Sequence, residues 1–168
     1  LKTTMPLDME LYRRAGEAGK ERGGIETVEE QIAMFTALSM EEQITLLDTT
    51  LEYLENAEGE SMTEKMVVSY LSGDGAELMD VMTSYMDTAD PVHRKFEALL
   101  FNERNDRMSA RIDAMLRDAD QVTFIAVGAA HFFGEDGILA QLRTVGHDVR
   151  RLSAADVERV ENAVMAVN

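Results

Sequence analysis

The chain has no cysteine, which excludes disulfides, zinc ribbons and thiol catalysis and leaves the redox compartment open. Basic residues are scarce: 16 Lys and Arg stand against 32 Asp and Glu, a net charge of −16. Nucleic acid and anionic lipid both require clustered cations, and apart from Arg150-Arg151 the cations here are dispersed. Nucleic-acid binding is therefore set aside. No apolar run approaches the roughly 20 residues of a membrane span. No signal peptide is visible, and there is no internal repeat or low-complexity tract. The first residue is Leu1 rather than Met, and the sequence reads at once as mid-domain, so a longer parent protein is expected.

What is present suits one domain with a sizeable core: 168 residues, 45% hydrophobic and 29% charged. The stretch that organises the reading is Val122-Thr123-Phe124-Ile125-Ala126-Val127-Gly128. Uncharged and rich in β-favouring residues, it predicts a strand buried on both faces. Gly128 is read as a sharp turn out of the sheet, with Gly134 and Gly137 keeping the following loop tight. His131 then falls just beyond the carboxyl end of an interior strand, where open α/β sheets hold ligands. A helix through Ile138, Leu139, Leu142 and Val145 follows, and Gly146 leads to a second strand at about His147–Leu152.

Upstream the pattern is helical. Leu7, Leu11, Tyr12 and Ala15 share one face, and a short strand is possible at Glu21–Glu26. Thr27 with Glu30, Ser39 with Glu42, and Ser61 with Glu64 have capping-box spacing. Val28, Ile32, Phe35 and Leu38 form one apolar stripe, and Met40, Ile44, Leu47, Leu51 and Leu54 the next. Asn56–Glu60 reads as a turn. Asp90-Pro91 opens the longest helical pattern, which runs to about Ala119, and Ser153 caps a last helix. The predicted fold class is α/β: a small, incomplete mixed or parallel sheet of few strands with a large helical insertion block at about 27–119. A strand–loop–helix–strand unit occupies 121–152, within a single domain of 1–168. So thin a sheet is expected to gain strands from sequence before Leu1, or from a second copy across its exposed edge.

Three places can carry chemistry. Arg104 and Asn105 interrupt the apolar stripe of the long helix, and buried without partners both would be costly. They serve either a structural hydrogen bond or a site. Glu26 precedes a helix start, where a carboxylate complements the helix dipole; alternatively it projects toward His131 as metal ligand or general base. His131, between Gly128 and Gly134, is poorly placed for a core and reads as functional. His93 and His147 read as surface or loop residues. One His and one Glu fall short of the three or four ligands of a metal site. The Gly128, Gly134, Gly137 spacing also misses the dinucleotide fingerprint, because Ala130 and Phe133 stand where glycine is needed. Met62, Met66, Met79, Met82 and Met86 at helical spacing are core filler, or else an adaptable apolar groove for a peptide or lipid-like ligand.

Glu103-Arg104-Asn105, then Val127-Gly128-Ala129-Ala130-His131 with Gly134, Gly137, Leu139, Leu142 and Gly146, resembles the C-terminal signature of the TraB/PrgY/GumN family. Gly24-Ile25-Glu26-Thr27, Gln31, Leu38-Ser39 and Glu42-Gln43 are similar to that family's helical region, so the likeness runs from about Asp8 to Leu152. The family includes bacterial proteins linked to peptide-pheromone shutdown and polysaccharide operons, and animal proteases that use manganese or cobalt. Its hallmark is two Gly-x-x-His motifs with a Glu and an Arg-Asn pair. The resemblance implies that Gly128–His131 is the second motif, Glu26 the carboxylate and Arg104-Asn105 the pair; the first motif is absent. It further implies a metal-dependent hydrolase of peptide bonds, with His131 and Glu26 as metal ligands, Arg104 and Asn105 steadying an oxyanion, and an inactive isolated chain. The alternative is a non-catalytic domain that sequesters a peptide. For many bacterial members the resemblance implies an extracytoplasmic location.

Overall fold

Local capping sets most of the architecture. The computed structural model describes residues 5–55, 58–84, 86–118 and 122–165. Helix α1 spans Leu7–Glu17, α2 Val28–Thr36 and α3 Met40–Glu55. At the start of α2, Glu30 N–H donates to Thr27 Oγ1 and Thr27 N–H to the Glu30 carboxylate. Ser39 and Glu42 make the same reciprocal pair before α3. The third expected box is not one: α4 spans Glu58–Ser72, so Ser61 lies inside a helix already begun. The predicted turn at 56–60 is helical from Glu58, and Asn56 and Ala57 lie outside the described residues, as do Tyr85 and Ala119–Gln121.

Helix α5 spans Gly75–Thr83 and α6 Pro91–Glu97, the latter capped by Asp90, whose carboxylate accepts from Val92 N–H at 2.6 Å. The long helical pattern does continue through α6, but by way of one π-helical turn at Ala98–Asn102 into α7 at Glu103–Arg117. A 3-10 turn at Ala129–Phe132, α8 at Ile138–Thr144 and α9 at Ala154–Met165 complete the order. The core forms where α7 meets α8: Met108, Ile112, Ile138 and Leu142 are buried, with Ile25, Ile125, Val127, Phe132 and Val149 packed around them.

The α/β expectation is corrected: the fold is helical, with no strand among the described residues. Residues 122–128 still show extended alternation, with Ile125 and Val127 against the core while Val122 and Phe124 point to solvent. A strand, however, requires a neighbour for its backbone donors and acceptors. No segment among the described residues pairs with it, so only one face is covered. The Glu21–Glu26 segment is a loop held from the side by α7 arginines. At 147–152 Val149 rests on the core and its carbonyl accepts from Arg143 Nε and Nη2 at 3.2 and 3.1 Å, in place of strand pairing. The sheet edge through which a second copy was expected to add falls with the sheet.

Periodicity located α2 and α3 correctly but not their burial. Ile32, Phe35, Ile44, Leu47 and Leu51 are all about half exposed, while Leu38 at the corner between the helices is buried. The accessible surface is 12500 Å², against roughly 8,300 Å² for a compact monomer of this mass. Among the described residues, no helix is long and apolar enough to cross a membrane.

Candidate functional site

The site begins with the π turn. Hydrogen bonds that span five residues instead of four shift the helical phase, a device often found at functional positions. Below it Phe101, Asn105, Met108, Ser109 and Ile112 follow one another as a single buried stripe. This is why Asn105 faces inward although the apolar pattern lapses there.

Asn105 is 3% exposed and both ends of its amide are engaged. Nδ2 donates to the Asp136 carbonyl at 3.0 Å, and Oδ1 lies 2.7 Å from His131 Nδ1. The donor bond fixes which end of the amide is oxygen. Oδ1 is therefore the acceptor, so His131 must carry its proton on Nδ1. Its Nε2 is left with a lone pair and has no hydrogen-bond partner among the described residues. His131 is itself buried, with its N–H bonded to Gly128 O at 3.0 Å and its ring edge-on to Phe101, centroids 5.8 Å apart. The sequence placed His131 outside the core; in the structure its ring is buried, beside a cavity.

Arg104, on the same turn as Asn105, bonds to a different partner, Glu26. Its Nε lies 3.0 and 3.2 Å from the two Glu26 oxygens, and Nη2 donates to Oε2 at 2.6 Å. The side chains are 14% and 4% exposed, making a two-pronged, largely desolvated ion pair. Two turns on, Arg111 grips the same loop through Ile25 O and the Glu30 carboxylate. The guanidinium bonds of Arg104 hold the Glu26 carboxyl below its ordinary range, outweighing the opposing effect of burial. The His131 imidazole is pushed down from 6.5 by burial first and Arg104 second, while Glu26 opposes. Glu26, Arg104, Asn105 and His131 thus form one cluster, brought together from the 21–27 loop, α7 and the 3-10 turn.

The three loop glycines differ. Gly134 has φ +84°, a conformation that favours glycine. A Cβ on Gly137 would lie 2.3 Å from the Phe133 carbonyl oxygen. Gly128, at φ −56° and ψ 135°, occupies backbone space open to any residue, and a Cβ there would only touch His131 Cδ2 at 3.6 Å. The chain does turn after Gly128, into the 3-10 turn, but the backbone there does not require glycine; its want of a side chain leaves room beside the imidazole.

The other histidines lie elsewhere. His93 is buried rather than superficial, its Nδ1 accepting from Asp87 N–H at 2.8 Å, and His147 Nε2 sits 2.7 Å from Asp113. Sequence reasoning missed Asp136, which acts through its backbone carbonyl and so leaves no side-chain signal. Arg111 was findable, seven residues from Arg104 on the same helix face. As for metal, the described residues contain no group of three or more His, Asp or Glu able to hold an ion. His131 Nε2 is one free donor, and both Glu26 oxygens are already taken by Arg104. The residues present do not make a complete metal site.

A model of the TraB/PrgY/gumN family matches residues 1–151. Relatives include Metalloprotease TIKI1 of Danio rerio, 29% identical over 167 residues, which is 88% of this chain and 34% of that protein. Metalloprotease TIKI2 of the same fish is 30% identical over 166 residues, 87% of this chain and 32% of that protein. Metalloprotease TIKI1 of Homo sapiens is 28% identical over 168 residues, 88% and 33% of the two chains. The chain thus spans about a third of the length of these curated relatives. No solved structure matches. On the extent of the family match, the chain belongs to the TraB/PrgY/gumN family.

Proposed function

We propose that this chain forms the imidazole-bearing wall of a site that hydrolyses peptide bonds. The observation that carries the proposal is the setting of His131: Asn105 holds Nδ1–H, Nε2 is left bare, and the residue lines a cavity. A neutral, buried imidazole of lowered basicity is suited to take a proton from an attacking water and release it to the leaving amine. Glu26 offsets part of the Arg104 charge, which opposes the imidazolium formed in between. Asn105 is a positioning residue, because its amide is committed to His131 and Asp136. Arg104 sets the local field and anchors Glu26 and the loop that carries it. The names of the relatives point to metal chemistry, for which His131 Nε2 would be one ligand; with the donor set incomplete here, no step is assigned to a metal.

The test is cleavage of a peptide mixture by the protein purified from its own host, read by mass spectrometry with Mn²⁺, with Co²⁺ and with chelator, for wild type and His131→Ala. Cleavage lost in His131→Ala supports the proposal; cleavage unchanged by the substitution overturns it. A second reading, a domain that retains peptides without cutting them, is favoured by the incomplete donor set. It predicts metal-independent peptide binding that survives His131→Ala.

A further inference from the structure

Against His131 lies an open cavity of about 600 Å³ whose apolar lining the hydrolytic reading has not yet used. One wall is Gly128, Ala129, Ala130 and His131, and the others come from α4, α5 and the π turn. Met66 and Leu71 of α4, Leu78 and Met82 of α5 and Phe101 are among its apolar lining, and no charged residue lines it among the described residues. Its volume falls in the range of pockets that enclose small ligands. Leu78 and Phe101 are buried at its floor, while Leu71, 76% exposed, stands at its rim. A thioether and aliphatic lining of this kind adapts to bulky apolar groups and penalises a charge, which would enter without a counter-ion.

We infer that this cavity is the specificity pocket of the proposed hydrolytic site, receiving a bulky apolar side chain (Leu, Met or Phe) next to the bond His131 addresses. The inference rests on the reading of His131 given above. The occupant follows from continuity: His131 is itself part of the cavity wall, so a side chain seated there brings its own backbone close to that residue. Gly128 fits the same reading, since its backbone does not require glycine and a side chain larger than a methyl there would extend from a position already in contact with the imidazole. The surplus of acidic residues, 32 against 16 basic, further disfavours acidic peptides.

The test uses the 168-residue chain labelled with ¹³C at its methionine methyls and titrated with acetyl-Ala-Leu-Ala-amide, acetyl-Ala-Ala-Ala-amide and acetyl-Ala-Asp-Ala-amide. The Met66 and Met82 signals shift saturably with the leucine peptide, at least about tenfold more weakly with the alanine peptide, and not with the aspartate peptide. Met5 and Met9, exposed near and on α1, stay unmoved. Leu71→Asp, at an exposed rim position, and Gly128→Val, at a permissive backbone position, each abolish the shifts while circular dichroism shows the fold retained. Equal binding of the leucine and alanine peptides, or binding untouched by both substitutions, overturns the inference. Saturable leucine-peptide binding, with no cleavage of the same peptide by the protein purified from its own host in Mn²⁺ or Co²⁺, overturns the hydrolytic reading and the pocket's place in it. Cleavage indifferent to the side chain overturns the pocket alone.

Discussion

Replacing Glu26 by leucine should cost more stability than any other single change in the 21–27 loop. The substitution leaves the Arg104 guanidinium, 14% exposed, without the carboxylate that accepts its bonds. Breaking one side of a buried pair costs about 3–5 kcal/mol, whereas replacing both sides by apolar groups is often neutral. Glu26→Leu and Arg104→Met should therefore each fall by about that amount, and the double variant should lie within about 1–2 kcal/mol of wild type. Glu26→Gln, which keeps an acceptor for Arg104, should cost less and serves as the milder probe. The assay is urea unfolding followed by far-ultraviolet circular dichroism, at neutral pH and then in steps down to pH 3. The folded pKa of Glu26 lies below its ordinary value of 4.5, so its contribution is present above that value and fades as pH falls through the folded value. The gap between wild type and Arg104→Met should narrow over the same window. A cost under about 1 kcal/mol for Glu26→Leu, or a gap that stays constant through acid pH, would refute the reasoning.

Asn105→Leu should lower the unfolding midpoint, since it strands both His131 Nδ1–H and the Asp136 carbonyl at about 1–3 kcal/mol each; denaturant titration checks this. Gly137→Ala should destabilise, because its Cβ would meet backbone oxygen at 2.3 Å, while Gly128→Ala should be nearly neutral in the same melting experiment. His131 should titrate below 6.5 in a proton NMR pH series, with burial as the first cause. Its lowered folded pKa means that stability from the neutral ring is present above 6.5 and is lost as pH falls through the folded value.

The helices were legible in the sequence because their signals are local. Thr27 with Glu30, Ser39 with Glu42 and Asp90-Pro91 each specify a helix start within four residues, and each is found there. Ser61 with Glu64 has the same spacing and fails, since nothing local forbids an upstream turn from joining α4. The strands were misjudged for the opposite reason. Extended structure at 122–128 needs a partner that no local pattern supplies, so composition predicted two covered faces where one exists. In the cluster, Arg104 and Asn105 stood out because polar residues broke an apolar stripe. What they bond to was hidden, because the Asp136 contribution is a backbone carbonyl and the π turn that rotates Asn105 inward has no sequence mark.

The account turns on one proton. Long-range ¹H–¹⁵N correlation on the His131 imidazole at neutral pH reads directly which nitrogen carries it. Asn105 requires a protonated Nδ1 and a bare Nε2. A ring protonated on Nε2 with Nδ1 bare would contradict both the hydrogen-bond assignment and the role built on it.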